Sequence, residues 1–150
     1  MRVLVLWVLV CLHAGLPARD LPGPPTVGER LLSARNAILA KDWRKALAEL
    51  DEALRDEPRN ADVHNLLGYS YRMQATPNLS KAFEHYRMAL SLDPTHRGAH
   101  EYIGEAYLMD RKPLEAEKQL AALEKICGNR TCEEYLDLVQ AITAYKAVKP

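Results

Sequence analysis

The chain has 150 residues, 48% of them hydrophobic and 27% charged, which suits one domain with its own core. Twenty Lys and Arg stand against twenty Asp and Glu, so no electrostatic excess exists to hold a nucleic acid.

The start, "MRVLVLWVLVCLHAGLPARD", places Arg2 before ten apolar residues, Val3 to Leu12, and then small and turn-forming residues up to Ala18. That is the three-part layout of a secretory signal peptide, expected over residues 1–18. Cleavage is expected after Ala18, with Ala14 and Gly15 as alternatives. A permanent span needs about 20 apolar residues, so none is expected in the exported chain. A lipid anchor on Cys11 is the rival reading, disfavoured by the bulky Val10 before it. Removing residues 1–18 takes away Arg2 alone, leaving 19 basic against 20 acidic residues. The next segment, residues 19–26, carries three prolines and a glycine in "RDLPGPPT" and reads as a stiff linker.

From Val27 onward the sequence repeats. "DWRKALAELDEALRDEPRN" from Asp42, "NLSKAFEHYRMALSLDPTH" from Asn78 and "KPLEAEKQLAALEKICGNR" from Lys112 align with alanine at Ala46, Ala82 and Ala116. Leu50, Tyr86 and Leu120 share a second slot, and Pro58, Pro94 and Gly128 a third. Ahead of these, "HNLLGYSY" and "HEYIGEAY" space Gly68 from Tyr71 as they space Gly104 from Tyr107. The three-and-four spacing of Trp43, Ala46, Leu47, Leu50, Ala53 and Leu54 makes one apolar helical stripe, which the second copy repeats. No segment alternates with period two, so no sheet is expected.

Thr26 with Glu29 predicts a capping box for the first helix, Asp42, Asn60 and Asn78 are N-caps for later ones, and Pro113 suits a first helical position. Ala34 and Ala37 stand where the later copies have glycine and tyrosine. A last helix, "TCEEYLDLVQAITAYKAV" over residues 131–148, offers a stripe of Cys132, Tyr135, Leu136, Val139 and Ile142 to close the stack, with Thr131 and Glu134 as its capping box.

These slots resemble the tetratricopeptide repeat, a helix–turn–helix unit of about 34 residues. The units would run 27–60, 61–96 and 97–130, the middle one two residues longer in the turn "QATPNLS". The resemblance implies an all-α, right-handed superhelical stack with a C-terminal capping helix. It also implies that the first helix of each unit lines a concave groove for an extended peptide or a partner helix. The family's groove places fall here on Arg35; on Asp62, Asn65, Tyr69, Arg72 and Met73; and on Glu101, Glu105, Leu108 and Met109. The chaperone-docking subclass uses Lys and Asn at places that here hold Leu31, Arg35, Leu66, Gly98 and Tyr102, so that specificity is not expected.

After cleavage two cysteines remain, Cys127 and Cys132, an even number in a compartment that permits disulfides. A structural disulfide pinning the last helix to the third unit is expected, worth about 2 kcal/mol for so small a loop. A reactive thiol pair is the alternative, although thioredoxin-type pairs have two intervening residues and this one has four. His96 and His100 are four apart, a metal-ligand spacing, but His64 shares the slot of His100 and nothing completes a ligand set, so no metal is expected. The pairs Asp51–Glu52 and Glu133–Glu134 read as solvated faces, and neither a phosphate loop nor a Gly-flanked serine motif occurs. The expectation is a non-catalytic, cofactor-free adaptor that binds a protein or peptide. By its likeness to small repeat proteins of Gram-negative bacteria it would be periplasmic. A thiol–disulfide accessory protein is the alternative.

Overall fold

The computed structural model describes residues 23–148; the expected signal segment with Cys11, and residues 19–22 of the linker, lie outside them. Among the described residues there are seven helices and no strand. They are α1 (Val27–Leu39), α2 (Trp43–Asp56), α3 (Ala61–Arg72), α4 (Leu79–Leu92), α5 (Arg97–Met109), α6 (Pro113–Cys127) and α7 (Glu133–Val148). The first six pair as three hairpins stacked in sequence, and α7 packs on both helices of the third, much as α5 packs on α3 and α4. The chain is an all-α helical repeat stack.

Local sequence explains each helix start. Thr26 Oγ1 accepts from Glu29 N at 3.3 Å while the Glu29 carboxylate accepts from Thr26 N at 2.7 Å. The exchange satisfies two donors that a helix start leaves open. Asp42, Asn60 and Asn78 accept from the third residue of α2, α3 and α4. The cap of α5 is His96, whose Nδ1 accepts from Ala99 N at 3.1 Å, a residue type that cap preferences do not single out. Pro113 opens α6, and Gly128 closes it at φ 68°, a left-handed conformation where glycine carries no Cβ penalty.

The turns repeat as faithfully as the helices. Inside the hairpins, Asp42 N donates to Ala37 O and Lys112 N to Tyr107 O, each at 2.8 Å, with Lys41 and Arg111 at positive φ in the same slot. The middle turn is two residues longer yet closes alike, Asn78 N donating to Tyr71 O at 3.0 Å. Between hairpins, Asn60 N donates to Glu57 O as His96 N donates to Asp93 O.

The fourth place of each first helix also meets one fixed slot of its own second helix, which sequence inspection does not reveal. In the first hairpin this is an ion pair, Arg30 to Glu49 at 3.5 Å. In the second, His64 Nδ1 faces His85 Nδ1 at 3.1 Å; in the third, His100 Nδ1 meets the Gln119 amide at 2.8 Å. Both histidines turn Nε2 to the carbonyl of the proline six residues back, Pro58 or Pro94, at 3.0 Å. A carbonyl only accepts, so Nε2 carries the proton in each ring. His96 and His100 therefore serve separate local networks.

Packing follows the small-residue slots. Ala46, Ala82 and Ala116 are fully buried, and Ala34 and Ala37 of α1 are buried with them. A Cβ on Gly68 would lie 2.6 Å from the Tyr86 ring, and one on Gly104 would lie 2.7 Å from Leu138, so in both places the missing methyl is the space a neighbour fills. The register of α7 differs from expectation. Leu138, not Leu136, enters the core: Leu138 is fully buried on Gly104 beside Tyr135 and Ile142, whereas Leu136 is half exposed. The start of α7 differs too. Thr131 does not box with Glu134; its amide and hydroxyl both donate to Asn129 Oδ1 at 2.8 Å, and Leu136 N donates to Cys132 O, so Cys132 stands as the cap. Glu134 is not solvated either, being half-buried and paired with Arg97 at 3.4 Å. Cys127 and Cys132 lie at disulfide-bonding distance, sulfurs 2.10 Å and Cα atoms 6.3 Å apart, joining the end of α6 to the cap of α7.

Candidate functional site

The face built by α1, α3, α5 and α7 carries a run of clefts. At its centre a cleft of about 390 Å³ is lined by Tyr69, Arg72 and Met73 of α3, Glu101, Tyr102 and Glu105 of α5, and Asp137 of α7. Toward the N-terminus a more apolar one lies between Arg35, Ile38 and Leu39 of α1 and Leu66, Tyr69 and Tyr102. On the other side Met109 and Leu108 meet Ala141 and Tyr145 of α7. First-helix residues reach one face because places two, five, nine and twelve fall on one side of a 3.6-residue helix.

Arg72 organises the centre. Its guanidinium lies 5.3 Å from the Tyr69 ring centroid and 5.7 Å from that of Tyr102, donates from Nε to Tyr86 Oη at 3.3 Å and pairs with Glu105 at 2.5 Å. Burial opposes its charge, but Tyr86, Glu105 and Tyr69 outweigh that and hold its pKa above the usual arginine value. The rings continue outward, Tyr69 to Tyr102 at 4.8 Å and Tyr69 to Trp43 at 6.5 Å. Burial, with the neighbouring Glu101 second, pushes the Tyr102 hydroxyl up to about 12.

Glu101 has no such partner. Its residue is 8% exposed, and among the described residues its carboxyl makes neither a hydrogen bond nor an ion pair. Burial, reinforced by Glu105, Asp137 and Glu134, pushes it up to about 8, so at neutral pH it is largely protonated.

The ten residues singled out from sequence separate into three groups. Arg35, Tyr69, Met73, Glu101, Glu105 and Met109 border the clefts. Asp62 lies apart, beside the cap of α5, where its Oδ1 meets His96 Nε2 at 3.1 Å. Asn65, Arg72 and Leu108 are buried, the last two on the inner walls of clefts: Asn65 lies against Gly98 with its Oδ1 unpaired, Arg72 is spent on Tyr86 and Glu105, and Leu108 belongs to the core of Ala116 and Leu123. Sequence reasoning missed Tyr102 and Asp137. Tyr102, two rings from Trp43, was in view only at a chaperone-docking place, and Asp137 sits on the one helix with no copy to align it.

Among the described residues, the single group that brings three potential metal ligands together is Cys127, Cys132 and Glu134, and its two sulfurs are at bonding distance from each other. No described helix is long and apolar enough to cross a membrane. Compared with known proteins, the chain matches no family model and no curated sequence.

Proposed function

We propose that the protein is an exported, non-catalytic adaptor of the tetratricopeptide type that holds a peptide or helix of a partner protein along the face of α1, α3, α5 and α7. The observation that carries this reading is the central cleft, to which three successive odd-numbered helices contribute and whose walls are tyrosine rings. Tyrosine offers large contact area with little side-chain entropy to lose, and exposed Met73 and Met109 adapt to apolar side chains at either end. Stacked repeats use such surfaces for extended ligands.

The site is tested by capture from envelope extract with wild type and with a variant carrying Arg35→Ala, Met73→Ala and Met109→Ala. All three residues are exposed, so the variant keeps its fold. A protein retained by wild type and lost by the variant supports the groove; equal recovery moves the binding surface elsewhere. Arg72 is unsuitable for such a test, because its removal leaves Glu105 and the Tyr86 hydroxyl without their partner.

The thiol–disulfide reading is separated by reduction kinetics. A structural bridge between Cys127 and Cys132 resists a glutathione buffer; fast exchange would favour the accessory role.

A further inference from the structure

The charge in the central cleft does not balance. One arginine lines it, Arg72, and it is taken by Glu105 at 2.5 Å. Glu101 and Asp137 make no ion pair among the described residues, and Glu101 is more than nine-tenths buried while lining the cleft. Its carboxyl opens on the cleft but is partly desolvated by the wall around it, a cost that a cationic ligand can relieve. A divalent ion does not fit, because no three of these carboxylates bring oxygens within reach of one point. The walls select further. Tyr69 and Tyr102 line the cleft, and the Arg72 guanidinium already lies over both rings, an instance of the pairing their remaining exposed ring surface can offer a ligand.

Accepting the groove reading above, we propose that the cleft of Tyr69, Glu101, Tyr102 and Asp137 receives an arginine side chain of the partner, so that the partner segment bound here is basic. The guanidinium lies against the tyrosine rings and forks onto Glu101, with Asp137 at the mouth. Lysine fills the same charge but neither stacks nor forks. Because Glu101 is held up to about 8, by burial first and then by Glu105 on α5 and Asp137 and Glu134 on α7, against the opposing Arg72 on α3, a cation that binds expels its proton. Affinity then rises with pH, close to tenfold per unit below about 8.

The test titrates the full chain with fluorescent seven-residue peptides of one neutral sequence that differ only at the centre: arginine, lysine, or citrulline, the neutral isostere of arginine. The expected order is arginine, then lysine, then citrulline, with Glu101→Gln weakening the arginine peptide about tenfold and flattening its pH dependence while leaving citrulline unchanged. Citrulline binding as well as arginine, an arginine preference that survives Glu101→Gln, or no binding by any peptide overturns the inference. Self-association that Glu101→Gln abolishes also overturns it, by making a second copy of the chain the occupant. The groove reading is scored separately: if a captured partner is still lost on Arg35→Ala, Met73→Ala and Met109→Ala, the groove stands and only its preference for arginine falls.

Discussion

The middle hairpin, α3 with α4, and the third, α5 with α6, share nearly every slot, yet they complete two of them differently. Each first helix leaves a glycine gap. Tyr86, from the same hairpin, fills that of Gly68, whereas Leu138, from the closing helix, fills that of Gly104. Each also turns a histidine to a proline carbonyl, but His64 finds a second histidine and His100 an amide. A repeat therefore prescribes where a gap or a polar partner must lie, and leaves open which neighbour supplies it.

Removing one filler breaks the comparison hardest. Leu138→Ala should cost about 3 kcal/mol, read as a fall in the denaturant midpoint, since it opens a cavity against a glycine that has nothing to put there. Next comes Gly68→Ala. Its methyl meets a fully buried ring held by Arg72, so overpacking outweighs the better helix propensity of alanine and leaves a net loss of about 2 kcal/mol. Reducing the Cys127–Cys132 pair, which ties α7 to the third hairpin, should lower stability by a similar amount, about 2 kcal/mol, without touching the middle hairpin; hydrogen exchange then rises in α7 first.

Gly104→Ala should be milder than Gly68→Ala, about 1 kcal/mol, because Leu138 meets the new methyl with flexible δ carbons on a terminal helix. The sharper form is the double variant. Gly104→Ala should partly rescue Leu138→Ala by filling its cavity, a coupling that simple addition does not give.

The smallest effect concerns the polar slot. Burial, and then His64, lower the pKa of His85 below the ordinary histidine value. A depressed folded pKa contributes stability that is present above the unfolded value of about 6.5 and is lost as pH falls below it. An amide can present either its oxygen or its NH2 to the ring, whereas two charged imidazoles repel. His85→Gln gives the middle hairpin the partner of the third, and thermal melts at pH 7.5 and 5 should show a smaller acid-induced drop than in wild type. An unchanged drop would show that the histidine pair does not carry it.

How much of this was legible depended on whether a residue had a copy to be compared with. Ala46, Ala82 and Ala116 announce helix contacts because they recur, and Asp42, Asn60 and Asn78 announce helix starts because their side chains are common caps. Leu138 has no copy, and α7 reads as apolar on more than one side, so periodicity alone chose Leu136 instead. Thr131 was read as a cap from its spacing to Glu134, but Asn129 and Arg97 offered those two side chains closer partners. For the cleft, place-by-place alignment found the right helices while missing depth. Arg72 occupies an outward-reading position and is still drawn inside, because Tyr86 and Glu105 await it and two rings cover its faces. That Glu101 makes no ion pair among the described residues was invisible, since a carboxylate looks the same in sequence with or without a cation beside it.

The long turn between α3 and α4 offers a handle on the molecule. Its two additional residues fall within the span closed by the bond from Asn78 N to Tyr71 O, and Ala75, Thr76 and Pro77 are exposed, so chain added between Ala75 and Thr76 loops outward from a junction that stays shut. An epitope or a small fluorescent domain spliced there would report on the assembly from the turn beyond the end of α3, one turn of helix past Tyr69 and just outside Met73 at the cleft's edge.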